Sequence, residues 1–235
     1  MNIVIFGAGT PDKFGYDFVQ KSRQEGHRVT VFSHKDHGIS HVDHYVIDYN
    51  NLNNCEFVFN TFLENNKDKI DILIYNTLGG NYPTLEYFGY NTPDLSLYQH
   101  TFNTHFVVPH LFIAKSIHRM NENAKTIFFA STLGLNFNDS RKGTEQMVGY
   151  ASGNIWKVNM MLGYANNRKK NITYCCISPS IQYKTIEGFK RYKEQDFELL
   201  YNFIYNCDDS YTGKLIAIWG DNKILTVNTV FNVYE

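Results

Sequence analysis

The sequence predicts an α/β protein built on a doubly wound parallel sheet in three α/β/α layers. Three observations lead there. Short apolar runs alternate with helical patterns at regular distances along all 235 residues, with no internal repeat or low-complexity linker. One run, "IDILIYN" (70–76), is apolar at nearly every position, as a strand covered on both faces should be. The first run, "IVIF" (3–6), leads straight into a glycine-rich turn, "GAGTPDKFG" (7–15).

The elements follow in order. Residues 3–6 are β-branched and apolar and end at a glycine, which reads as a strand. "FGYDFVQKSRQE" (14–25) has apolar residues at helical spacing and stops at Gly26. "RVTVFS" (28–33) and "HYVIDY" (44–49) are the next strands, and "CEFVFNTFLENN" (55–66) the next helix. After the strand at 70–76, a long helix is expected over 94–120, a strand at "KTIFFAS" (125–131) and a helix over 148–167. "NITYCCIS" (171–178) is a strand, 185–206 a polar and aromatic helix, "KLIAIW" (214–219) a strand and "ILTVNTV" (224–230) one more. All of this fits one domain, 1–235, with a full-sized core.

Composition narrows the function. With 22 Lys and Arg against 23 Asp and Glu, and no basic block, a nucleic-acid partner is not expected. No apolar run approaches ~18 residues, so no membrane span is expected. The first residues read as a strand rather than an export signal. Cys175 and Cys176 are adjacent in a strand pattern, so they should point to opposite faces of a reduced core. These observations together predict a cytoplasmic protein.

In a doubly wound sheet ligands bind at the carboxyl ends of the strands. The turn from Gly7 to Gly15 lies there, between the first strand and the first helix. Glycines at such a turn let the backbone approach a pyrophosphate, and the helix N-terminus offers oriented N–H groups. Gly7, Gly9, Thr10, Phe14 and Gly15 are the candidate contacts. The simple Gly-x-Gly-x-x-Gly spacing is not met: residue 12 is Asp, and the third glycine, Gly15, arrives three positions late.

Further along, "LIYNTLGG" (73–80), "FNTHFVVPHLF" (102–112), "IFFASTLG" (127–134), "YASGN" (150–154), "ISPS" (177–180) and "TGKLIAIWGD" (212–221) follow in an order that resembles the short-chain dehydrogenase/reductase family across nearly the whole chain. The stretched glycine loop looks like the variant of enoyl-acyl-carrier-protein reductases. The resemblance implies a Rossmann-like fold and a nicotinamide cofactor. It implies Asn103, Ser131 and Tyr150 as catalytic residues, Asp48 near the adenine, Asn76 at the end of its strand, and Pro179 in the turn where Ser180 replaces the family's Gly.

Two departures matter. Ser131 and Tyr150 lie 19 positions apart, farther than usual, so 136–146 should form an enlarged loop. The family's Lys, four residues after the Tyr, is Asn154 here, counted with both the catalytic and the cofactor-binding residues. A neutral amide can hydrogen-bond a ribose hydroxyl but cannot stabilise a tyrosinate by charge. Lys157, seven residues after Tyr150, shares the helix face but lies one turn beyond the expected place.

At the end of the second strand an Asp or Glu would bind an adenosine 2′-hydroxyl. Ser33, His34 and Lys35 stand there instead, so NADP(H) is expected in preference to NAD(H). His34, His37, His41 and His44 follow, without the carboxylate or Cys pattern of a zinc site, and no metal is expected. The resemblance thus implies reduction of a carbonyl or enoyl small molecule, with 82–100, 136–146 and 180–206 shaping its pocket. The helices around 100–118 and 150–164 are apolar on more than one face, which suits a homodimer or homotetramer. A non-catalytic nucleotide-binding sensor or scaffold is the alternative that Asn154 raises.

Overall fold

The structure, a computed structural model, describes residues 1–9, 11, 13–77, 95–130, 148–168, 171–179, 194–219 and 223–227. Strands are β1 (Asn2–Phe6), β2 (Arg28–Ser33), β3 (Asp43–Val46), β4 (Ile70–Tyr75), β5 (Met120–Phe129), β6 (Thr173–Pro179), β7 (Lys214–Trp219) and β8 (Lys223–Val227). Helices are α1 (Phe14–Gln24), α2 (Leu52–Asn65), α3 (Leu95–Phe102), α4 (Val108–Ser116), α5 (Val148–Asn166) and α6 (Glu194–Asn206). The strands form one sheet in the order β3-β2-β1-β4-β5-β6-β7-β8, parallel except for β8, which pairs antiparallel with β7. The order reverses between β1 and β4, and this places the ligand crevice of such a sheet at their carboxyl ends.

Alternation along each strand sends side chains to two cores. Val4, Phe6, Tyr75, Phe128 and Cys176 join the core under α2, α4 and α5. Ile3, Ile5, Ile74, Phe129 and Cys175 join the core under α1 and α6. Cys175 and Cys176 therefore face opposite layers, as their spacing predicts, and all four cysteines are free thiols buried in the protein. No helix among the described residues is long and apolar enough to cross a membrane.

A line of aromatic rings crosses five strands on the α2/α4/α5 side. Tyr45, Phe32, Phe6, Tyr75 and Phe128 are register partners on β3, β2, β1, β4 and β5. Each ring stacks on the next, with centroids 5.2, 4.8, 4.7 and 5.2 Å apart. Aromatic cross-strand pairs contribute about 0.5–1.5 kcal/mol each beyond the area they bury. Phe112 of α4 meets Phe6 and Phe32 edge-on at 5.0 and 5.3 Å, and Tyr75 Oη donates to the Pro109 carbonyl at 3.1 Å. The ladder fixes register and docks α4 with one set of side chains.

Three boundaries differ from the sequence expectation. The long helix over 94–120 is interrupted by a π-helical turn, Asn103–Val107, and closes in a short 3₁₀ turn, Ile117–Arg119. β5 begins at Met120, five residues early, because the polar stretch before Lys125 lies at the strand's exposed start and pairs with β4 through a bulge at Ile70. β3 ends at Val46, short of the expected 49, as the chain turns at Asp48 into the cap of α2: Asn54 Oδ1 accepts from the Asp48 amide, and Asn51 caps Asn54.

Candidate functional site

The glycine turn is built against the end of β4. Gly7 and Gly9 have φ of 80° and 75°, a region that side-chain-bearing residues rarely enter. The Gly7 amide donates to the Phe32 carbonyl at 2.8 Å, and Asn76 reaches across from β4 to donate its side-chain amide to the Gly7 carbonyl at 2.8 Å. Gly15, in the first turn of α1, is packed against this join. A Cβ there would lie 2.6 Å from Asn76 Nδ2, 2.6 Å from the Gly7 carbonyl oxygen and 2.7 Å from that of Ala8. The late third glycine therefore does the work that close helix-to-strand packing demands. The Phe14 ring is buried against Phe18, Phe129 and Phe197. The ring turns inward because, one helical turn from Phe18, it continues the apolar stripe of α1.

The π-helical turn places three polar residues in the interior. Asn103 donates from Nδ2 to the Tyr49 carbonyl at 3.0 Å, and its Oδ1 accepts from Gln99 at 2.8 Å. The Thr104 carbonyl lies 3.5 Å from Thr77 Oγ1. His105 is fully buried, and a Cβ on Gly153 of α5 would come within 2.9 Å of its ring. Burial, reinforced by the positive charges of Lys157 and His100, holds this imidazole well below its usual pKa, so it is neutral at pH 7. An inserted residue of this kind re-aims side chains within a helix and is frequent at functional sites. The sequence carries no compositional sign of it beyond three buried polar residues in an apolar stretch.

Asn154 is fully buried on α5, one turn after Tyr150. Lys157 is also fully buried. Its Nζ donates to the carbonyls of Thr77, just past β4, at 2.5 Å and of Phe129, at the end of β5, at 2.9 Å. Lys157 thus clasps two neighbouring strand ends from beneath. Burial pushes its pKa down to about 7, opposed by the nearby Cys176.

At the end of β2, Ser33 is buried, with Oγ 2.6 Å from the Lys35 carbonyl, while His34 and Lys35 are exposed. Asp48 is exposed and its Oδ1 accepts from the Asn50 amide. Pro179 closes β6, opposite Ile218. Tyr150 falls in the first turn of α5 by its backbone; its side chain, with that of Pro179 and with Thr10, Ser131 and the loop 136–146, lies outside the described residues.

No protein-family model and no curated protein sequence matches this chain. Solved structures do. A short-chain dehydrogenase/reductase family oxidoreductase from Brucella ovis, in complex with a partially ordered NAD, superposes with a TM-score of 0.68 at 19% identity, over 93% of this chain and 99% of that one. A protein from Shigella flexneri described as a short chain dehydrogenase, complexed with NADP, gives 0.68 at 17% identity, over 92% and 95%. The ligand-free aldohexose dehydrogenase of Thermoplasma acidophilum gives 0.61 at 13% identity, over 76% of this chain and 65% of that one, just under two thirds of its length. The fold is that of the short-chain dehydrogenases and reductases. The glycine turn, Asn76, the Asn103 turn and Lys157 of α5 come together near the carboxyl ends of β1, β4 and β5.

Two substitutions test this construction. Gly15→Ala forces a methyl against two backbone carbonyls and should destabilise the protein by about 1–3 kcal/mol, read from urea denaturation; an unchanged midpoint would contradict the packing described. Lys157→Met keeps the length and removes both N–H donors. The folded pKa of Lys157 lies below its ordinary value of 10.5, so the unfolded chain binds the extra proton between about pH 7 and 10.5. The stability that wild type holds over Lys157→Met should therefore grow as pH rises from 7 to 9.5, by up to ~1.4 kcal/mol per unit. A difference that stays flat would mean that Lys157 is not buried as described.

Proposed function

We propose that this chain is a divergent member of the short-chain dehydrogenase/reductase family, an oxidoreductase that uses NADP(H) in preference to NAD(H) to reduce a carbonyl or enoyl small molecule. The observation that carries the reading is the join between the glycine turn and Asn76 at the point where strand order reverses. Gly7 and Gly9 take left-handed backbone and Gly15 packs closely against Asn76, which supports a turn that offers the N-terminus of α1 to a dinucleotide pyrophosphate. The absence of an acid at 33–35 favours the 2′-phosphorylated cofactor.

A bound nicotinamide cofactor supplies the hydride. The chain's own residues do the rest. Tyr150 donates a proton to the substrate oxygen, the role open to a phenol at neutral pH. Ser131 hydrogen-bonds that oxygen, and Asn154 holds a ribose hydroxyl. Asn103 anchors the π-helical turn to the Tyr49 carbonyl and so sets the wall opposite α5. Reduction suffers less than oxidation from the lack of a Lys, because a neutral phenol can still donate.

A second reading, a non-catalytic nucleotide-binding protein, is favoured by one observation. The charge missing at Asn154 is not made up by Lys157, whose amine is engaged by two strand-end carbonyls. Buried unpaired thiols and the absence of any long apolar helix among the described residues accord with a cytoplasmic protein in either case.

Kinetics separate the two. For a reductase, Tyr150→Phe should abolish NADPH-dependent reduction across a panel of aldehydes, ketones and enoyl thioesters while leaving NADPH affinity intact, and Asn154→Lys should raise the rate at neutral pH. Wild type that binds NADPH, turns over nothing in the panel and gains nothing from Asn154→Lys would establish the second reading. We also propose a homodimer or homotetramer formed through α4 and α5, where Phe106, Leu111, Trp156 and Leu162 are half-buried. Light scattering at micromolar concentration should give a multiple of 27.3 kDa, and a particle of 27.3 kDa would refute the assembly.

A further inference from the structure

The loop after β2 gathers side chains that the cofactor reading leaves without a task. His44, on β3, is held at both ring nitrogens: Nε2 lies 2.6 Å from Ser33 Oγ, and Nδ1 lies 2.8 Å from Asp36 Oδ1. His37 stacks on His44, with centroids 6.4 Å and planes 12° apart, and His34 meets His37 edge-on at 5.8 Å. His34 and Lys35 are exposed beside them, and His37 is half-buried.

The charged neighbours come from three directions. Within the loop, Asp36 folds back so that Oδ1 also accepts from the Gly38 amide at 2.8 Å. From α3, His100 lies with Nδ1 2.9 Å from Asn50 Oδ1, where it feels the charges of Asp48 and His34. Asp43, beside His44, is paired with Arg28 at the other end of the strand. The balance around His37 is cationic. Burial and then the charges of His34, Lys35 and His44 hold its imidazole below the usual value, and Asp36 opposes them only in part.

Three imidazoles and an ammonium placed together repel one another as they gain protons. Among the described residues no set of three or more His, Cys, Asp or Glu is disposed to hold a metal ion. A dianion reverses the sign: it is attracted by each proton the group takes up. Such a dianion arrives at this strand end if the dinucleotide carries a 2′-phosphate.

We propose that His34, Lys35 and His37, positioned by the anchored ring of His44, form a proton-linked site for the 2′-phosphate, so that preference for NADP(H) over NAD(H) is set by pH. The inference rests on the reading that this crevice binds a nicotinamide dinucleotide. Imidazole side chains as a class lose their charge across the range from mildly acidic to mildly basic pH and an ammonium keeps it, so selectivity should be greater at pH 6.5 than at pH 8.5.

Calorimetric titration of the full chain with NADPH and with NADH tests this. Each is done at pH 6.5 and 8.5, in two buffers of different ionisation enthalpy. The ratio of NADPH to NADH affinity should fall about tenfold or more across that range, the size of one lost charge-assisted contact. NADPH should take up protons on binding and NADH should not. The double variant His34→Gln, His37→Gln should flatten the pH dependence and leave the residual preference due to Lys35; circular dichroism checks its fold, and should it fail, proton uptake by wild type decides. A ratio that is constant with pH, or equal proton uptake for both cofactors, overturns the inference while leaving dinucleotide binding intact. If neither cofactor binds, or NADH is preferred at every pH, the inference falls together with the cofactor reading.

Discussion

The aromatic ladder from Tyr45 to Phe128 is the constraint on which the rest of the molecule depends. Five rings in one register row level the carboxyl ends of five strands, and a slip of one residue anywhere would turn a ring toward the opposite layer. The residues that build the crevice come immediately after the rings: Gly7 after Phe6, Ser33 after Phe32, Asn76 after Tyr75. Each is placed by a fully buried aromatic neighbour. The abundance of Phe and Tyr in this chain has a physical use in that row and in the second aromatic set on α1 and α6.

Where the ladder ends, polar devices take over. Asn76 ties the glycine turn to β4, Lys157 clasps β4 to β5, and the π-helical turn ties α3 to the loop after β3 through Asn103. All three use a side-chain N–H to satisfy a backbone carbonyl at or beyond a strand end. A parallel sheet that opens into a crevice must expose such groups at its switch point, and here side chains rather than water cover several of them. The loop after β2, by contrast, is largely exposed.

Much of this could be read from the chain. Apolar runs located the strands, because a strand buried on both faces has no room for polar residues, and two adjacent cysteines in one such run could only face opposite layers. The glycine turn declared itself through the residue type that a left-handed backbone requires. Gly15 was legible as the late third glycine of the turn, but its close approach to Asn76, far away in sequence, was not. The π-helical turn was not legible, because one added residue per turn leaves no mark on composition. Lys157 was misleading: a lysine in a helix normally reaches solvent, and only its setting in "IWKVNMML" hinted at burial. The antiparallel direction of β8 depends on a short connection and not on the strand's own residues.

The adjacent pair Cys175 and Cys176 has a consequence of its own. Cys176 lies against the Lys157 carbonyl of α5, and Cys175 lies in the layer of α1 and α6, beside Cys207. Neighbours in the chain, they are guarded by different sides of the protein. A thiol reagent reaches each only when its own layer lifts, since both are fully covered. The strand thereby holds two clocks, one for each face of the sheet. The order in which they are struck records which half of the protein lets go first, without any probe having been introduced.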